Sequence, residues 1–207
     1  MKFNNKQSKI LEDIIISRRD IRGNNFRSKK IKKKNINKIL EAGINAPSVG
    51  FSQPWRFVVI KDDNIKNNIY KNFKKEYKKS KKYFKNRAIY KTLKLEGIKE
   101  SPVNIAVYYK KNNTKTLGQT TQKSMGKYSV VCAIQNMWLM ARSLNIGIGW
   151  VSIIKPKNVN KLLDLSNEYK LVGYLCVGYP KKFLNSPELE LLKWDKKRKF
   201  KEVVSFK

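Results

Sequence analysis

Residues 17–26 read SRRDIRGNNF, three arginines inside five positions with one carboxylate, Asp20, among them. Each guanidinium offers a planar set of donors that matches two oxygens of a phosphate at once, so such a triplet makes a strong anion site. An acid among these cations has two readings. It is an internal salt bridge that keeps the cluster from repelling itself. Or it is a functional carboxylate, with the arginines holding a phosphorylated cofactor while Asp20 faces its reactive part. Bracketed by positive charge, Asp20 is expected to have a lowered pKa and stay ionised, able to accept a proton and poor as an acid.

The chain contains no histidine. That removes Ser-His-Asp triads, Cys-His nucleophiles and imidazole acids, bases or zinc ligands. Carboxylate chemistry, lysine or metal chemistry without imidazole, and chemistry carried by a cofactor remain. The two cysteines, Cys132 in VVCAI and Cys176 in YLCVG, form no C-x-x-C pair and are expected in the core, so no disulfide framework or metal site is expected.

With 47 basic against 15 acidic residues the formal net charge is +32, a balance that by itself points to nucleic acid or an anionic membrane. Only 8 of the basic residues are arginines, and the lysines accompany asparagine and isoleucine over the whole length, which reads as compositional drift rather than a basic stripe. The densest run, KNFKKEYKKSKKYFKNR at 71–87, and Tyr70 just before it space Tyr70, Phe73, Tyr77 and Phe84 close to helical periodicity, as a solvated helix with an inward aromatic face would. A nucleic-acid-binding protein stays open on charge alone; the expectation is that neither nucleic acid nor membrane is a partner. The sequence has no apolar run near the roughly 20 residues of a membrane span and no signal-peptide pattern, so a cytoplasmic protein is expected.

The elements that must position the arginine cluster follow from periodicity. Residues 10–16 and 36–44 predict amphipathic helices, the second ending at NAPSVG; RFVVI at 56–60 predicts a strand, and KDDN after it a turn and a helix start. Two lysine-rich helices are expected up to about Gly97, then a buried strand in VNIAVYY and a polar loop, KKNNTKTLGQTTQKS at 110–124, that could serve as a lid. YSVVCAIQNMWLMARSL at 128–144 is apolar on nearly every side and predicts a central helix; NIGIGWVSI, a helix at 156–165, LVGYLCVGY at 171–179 and a charged tail with PELELLKW follow. There is no G-x-G-x-x-G after a strand and no phosphate-binding P-loop, so one α+β domain over 1–207, built around a central helix, is expected rather than a Rossmann fold.

Five stretches together resemble the nitroreductase superfamily, and within it the 5,6-dimethylbenzimidazole synthase (BluB) family: SRRDIR, NAPSVGFSQPWRFVVI, YKTLKLEGIKESPVNIAV, YSVVCAIQNMWLMARSLNIGIGWVSI and LCVGYP. The resemblance implies a flavoprotein fold with a central helix against a mostly antiparallel sheet. It also implies an intertwined homodimer with two FMN sites at the interface, and a role in cobalamin biosynthesis. The implied oxidoreductase chemistry is unusual: reduced FMN is the substrate, and O₂ converts it to 5,6-dimethylbenzimidazole, the lower ligand of vitamin B12, with release of D-erythrose 4-phosphate. A separate flavin reductase would supply the reduced flavin. An NAD(P)H-dependent nitro- or quinone reductase of the same fold is the alternative.

Under this resemblance Arg18, Arg19 and Arg22, with Ile21 between them, grip FMN, and Asp20 is the catalytic carboxylate near the ring. Ser152 is the second catalytic residue, a hydroxyl against the reactive edge, with the backbone of Trp150, Val151 and Ile153 alongside and Gly147 and Gly149 permitting close approach. Ser48 and Gln53 belong to the loop that packs on the flavin, Leu95 to a segment that closes over it, and Lys94 is a weaker phosphate candidate. In the tail KWDKKRKF, Lys197 and Arg198 compete for the phosphate, and Arg198 is assigned to the cofactor site. Two departures stand out: that tail, and Lys127 where the family usually carries an acid.

Overall fold

The computed structural model describes residues 1–112 and 114–207. Its sheet contains β1 (Trp55–Ile60), β2 (Val103–Lys110), β3 (Gly147–Val151) and β4 (Tyr169–Gly178), paired antiparallel in the order β1-β2-β4-β3. β2 sits inside the sheet and is buried from Val103 to Tyr109, which is why its sequence is an almost unbroken apolar run.

Alternation along β2 feeds two cores. Val103, Ile105 and Val107 face α2 (Lys33–Ile44) and α4 (Met125–Ser143), meeting Ile36, Ile39, Ile134 and Met137. Ala106 and Tyr108 face the opposite side, where Ile69 and Phe73 of α3 (Asp63–Ser80) and Val159 of α5 (Pro156–Leu162) complete a second cluster with Tyr174 and Cys176. Helix starts follow local chemistry. α1 (Asn5–Ser17) opens on a capping box between Asn4 and Gln7, Asp62 caps α3 by accepting from the Ile65 N–H, and Pro156 begins α5.

Two expectations need correction. The lysine-rich stretch makes one helix, α3, followed by 3₁₀ turns at Lys81–Phe84 and Ala88–Lys91. The Ser80 hydroxyl bonds the Tyr77 carbonyl and the Tyr90 hydroxyl, and Phe84 stacks on Tyr90 at 4.3 Å; these tertiary contacts turn the chain where helical propensity alone would carry it on. Cys176 is buried, but Cys132 is exposed. It lies on a face of α4 with exposed Tyr128 and Val131, so this apolar helix buries one side only. The polar loop after β2 is present as expected; Asn113 within it lies outside the described residues. No helix is long and apolar enough to cross a membrane among the described residues.

The segment after α1 matters most for the site. It runs extended beside the edge strand β3: Asp20 bridges Ile148 in parallel, and the Ile21 N–H donates to the Ile148 carbonyl at 3.0 Å. The approach is possible because β3 reads G-I-G. A Cβ on Gly149 would stand 2.1 Å from the Ile21 carbonyl oxygen, and one on Gly147 would stand 2.4 Å from the Ile21 side chain. These glycines admit residues 20–22 against the edge of β3. Gly149→Ala should therefore force the two segments apart and lower the unfolding free energy in urea by about 2–4 kcal/mol, with Gly173→Ala, which meets only side chains, costing less.

Candidate active site

Ser17 to Arg19 are held from below by α4. The Trp138 indole N–H donates to the Arg19 carbonyl at 3.3 Å, Arg142 Nε donates to the Ser17 carbonyl and hydroxyl, and the Arg18 guanidinium lies over the Trp138 ring at 4.8 Å. The chain then presents Asp20 with both carboxylate oxygens engaged. Oδ1 accepts the Trp150 N–H at 3.1 Å, and Oδ2 lies 3.0 Å from Arg22 Nε. Arg22 is itself committed, with Nη1 donating to the Lys94 carbonyl at 3.0 Å and Nε 3.4 Å from Glu188 Oε2. A guanidinium with 14% side-chain exposure shared by two carboxylates orients Asp20 more directly than it could meet an incoming phosphate.

The Asp20 pKa departs from the sequence-based expectation. Burial raises it above the ordinary carboxylate value, and Arg22, the Trp150 N–H and Arg18 oppose the rise without cancelling it. Charge pairing was visible in the sequence, whereas desolvation depends on the packing around β3.

Above Asp20 lies a cleft of about 600 Å³, walled on one side by Arg18, Arg19 and Arg22 and on the other by residues 185–190 of the C-terminal strap. Arg19 anchors that strap through the Asn185 carbonyl and also donates to the Ile16 and Arg18 carbonyls, while its buried Nε has no protein partner. Of the two tail cations, Lys197 lines the cleft and Arg198 does not. Among the described residues no three His, Cys, Asp or Glu side chains gather as a metal cluster.

Ser152 is exposed immediately past β3, two residues beyond the Trp150 amide that binds Asp20, a span of about 7 Å along an extended strand. The turn after it is pinned by Asn72 of α3, which accepts from the Lys155 N–H and donates to the Lys155 carbonyl, both at 3.2 Å. Ile153 and Leu95 both pack at the edge of the second core. Lys94 is taken up by Glu96 and by Glu100 at 2.9 Å. Burial disfavours its charge, but these two carboxylates raise its pKa overall, so it is a structural cation rather than a free phosphate ligand.

Ser48 and Gln53 stand elsewhere. Their loop is tied to the other end of α4, where the Val49 N–H donates to Ser129 Oγ at 3.1 Å. Ser129 and Trp138 are nine residues apart on that helix, about 13 Å along its axis. Ser48 Oγ accepts the Gln53 N–H, and Gly50, Phe51 and Gln53 all have positive φ, leaving Phe51 and Gln53 exposed. Two left-handed non-glycine residues within three positions, Phe51 and Gln53, are a cost that functional loops tolerate. One chain thus brings Arg18–Arg22, Trp150 and Ser152 to one edge and carries Ser48 and Gln53 away from it. Glu188 and Asn72 went unnoticed in the sequence, because a carboxylate in a charged tail and an asparagine in a lysine-rich helix leave no local pattern.

The chain resembles known proteins over most of its length. A 5,6-dimethylbenzimidazole synthase of Rhodospirillum rubrum is 38% identical over 185 residues, covering 87% of each chain. Among solved structures, a BluB-like flavoprotein from Clostridium difficile 630 superposes with a TM-score of 0.73 at 22% identity, covering 95% of this chain and 98% of that one. Iodotyrosine deiodinase bound to FMN and 3-iodo-L-tyrosine gives 0.67 at 23% identity, covering 84% and 91%. Residues 15–179, from the end of α1 to the last residue before the strap's Pro180, match the model of the Nitroreductase family, and the chain belongs to that family.

Proposed function

We propose that this protein is a 5,6-dimethylbenzimidazole synthase, an oxidoreductase that takes reduced FMN as substrate and, with O₂, yields 5,6-dimethylbenzimidazole and D-erythrose 4-phosphate for cobalamin biosynthesis. The observation that carries the reading is Asp20: a half-buried carboxylate with both oxygens fixed, at the floor of a cationic cleft, in a chain closely similar to an enzyme of that name.

The residues fit a flavin mononucleotide. Arg18, Arg19 and Lys197 supply cations for its phosphate, and the buried Arg19 Nε is a donor in need of an acceptor. Reduced flavin supplies the electrons that O₂ accepts. The protein's part is to hold and orient it and to manage protons. Asp20, with a raised pKa, is a stronger base than a solvated carboxylate and is aimed by Arg22 and the Trp150 N–H. Ser152 can accept a proton and donate one at the same edge. The chain's 207 residues act as one FMN-binding domain in the cytoplasm, with a separate flavin reductase delivering the substrate.

A homodimer completes the site. Ser48 and Gln53 reach a flavin on a partner's Arg18–Ser152 edge, and the exposed apolar faces of α1 (Ile10, Leu11, Ile15, Ile16) and α4 (Tyr128, Val131) are what a second copy would cover.

Purified protein mixed with reduced FMN in air should form 5,6-dimethylbenzimidazole, seen by mass spectrometry with matching loss of flavin. Flavin that reoxidises intact while NAD(P)H is steadily consumed would instead make the protein a nitro- or quinone reductase. Asp20→Asn and Ser152→Gly should retain FMN and lose product formation by about 100-fold or more. If Asp20 and Gln53 serve one site from different subunits, mixing Asp20→Asn with Gln53→Ala protein under subunit exchange should restore activity to about a quarter of wild type, since half the dimers then carry one intact site. The raised pKa gives a further check. Asp20 contributes its full stability below the ordinary carboxylate pKa and loses it as pH rises through the raised value, so the melting temperature of Asp20→Asn should gain on wild type as pH rises above the ordinary carboxylate range.

A further inference from the structure

The arginine cleft has one wall that the central fold does not supply. Residues 185–190 and Lys197 belong to the strap that follows β4, and within 191–207 every residue is exposed except Trp194. At its near end the strap is tied by Asn25, which binds the Lys182 backbone, and by Arg19 through the Asn185 carbonyl. At the far end it turns on Lys193, whose φ is +56°, and inserts Trp194 into a notch beyond the end of α3.

That notch is specific. The Arg87 guanidinium lies over the indole at 4.2 Å and Arg87 Nη1 donates to the Trp194 carbonyl at 3.1 Å. Phe84 meets the indole edge-on at 5.5 Å, and Tyr90 lies at 6.0 Å. The Trp194 backbone N–H returns to the Leu189 carbonyl at 2.8 Å, closing the turn that follows Glu188, and the Lys197 N–H donates to Glu190 at 3.1 Å. Glu188 on Arg22 thus hangs between the Asn185 anchor and Trp194, and Lys197, three residues past Trp194, is held over the cleft by that anchor and its bond to Glu190.

We propose that Trp194 and Arg87 are positioning residues whose stacked pair latches the C-terminal strap across the arginine cleft and so sets how long a phosphorylated flavin stays bound. The pair touches no ligand atom and acts through Glu188 and Lys197. The ligand's identity rests on the FMN reading above. A guanidinium stacked on an indole at a partly exposed site is strong enough to favour the closed strap and weak enough to release it.

The test follows hydrogen exchange of the 185–198 backbone and the dissociation of oxidised FMN, read as recovery of flavin fluorescence. It uses the full-length protein and the variants Trp194→Ala, Arg87→Ala, their combination, and Trp194→Phe. Each alanine variant is expected to speed strap exchange and FMN release by about 10-fold, with the double variant no worse than either single one. Trp194→Phe should stay within about 3-fold of wild type because it keeps a ring in the notch. Melting temperatures should move by less than about 3 °C, which separates latching from general destabilisation. Unchanged exchange and release in both alanine variants, or faster exchange with unaltered FMN release, would overturn the proposal. Wild-type protein that takes up no FMN would sink the flavin reading instead, and the latch would then stand or fall on the exchange of the strap alone.

Discussion

The site depends on one edge contact, the docking of residues 20–22 against β3. The Ile21 N–H meets the Ile148 carbonyl and the Trp150 N–H meets Asp20, so one backbone strand holds both the position of the carboxylate and its orientation. Main-chain bonds of this kind tolerate little displacement. Ser152 follows directly on the end of the same strand, so docking the segment also sets the order of Asp20 and Ser152 along the edge. Side chains larger than hydrogen at Gly147 and Gly149 are incompatible with it.

Charge is arranged around that contact so that no buried ion stands alone. Arg22 is shared by Asp20, Glu188 and the Lys94 carbonyl, and Lys94 is neutralised by Glu96 and Glu100. Burial of Asp20 outweighs these attractions and leaves its carboxyl more basic than in water. For a reaction that needs a proton acceptor beside a flavin, a base raised toward the working pH is an advantage. The formal +32 charge has a separate origin. Among the lysines of α3 and the turn after it, Lys74, Lys81 and Lys82 lie over tyrosine rings, consistent with a solvated basic face above an aromatic one.

α4 organises the rest. Its buried side fills the core against β2 and β4, its Trp138 and Arg142 hold the start of the arginine segment, and Ser129 near its other end ties the loop of Ser48 and Gln53. The two groups of candidate residues are tied to points about 13 Å apart along one rigid helix. Two copies packed through the open face of α4 would resolve that separation without bending the helix.

Helices, strands and turns were legible because their signals are local: the apolar run VNIAVYY, the helix start at KDDN, and the apolar stretch of α4 all appear where the residues predict them. The arginine cluster and its embedded acid were legible for the same reason, as were the motifs of the flavoprotein family. Long-range pairing decided the rest. The sign of the Asp20 shift, the commitment of Arg22 to Glu188, the exposure of Cys132, the preference of the cleft for Lys197 over Arg198 and the use of the two β3 glycines all depend on what lies across space. Sequence spacing records which groups can be neighbours along one element. Desolvation and partner choice are properties of the packed interior, and they exist only once the strap, the sheet edge and α4 have come together.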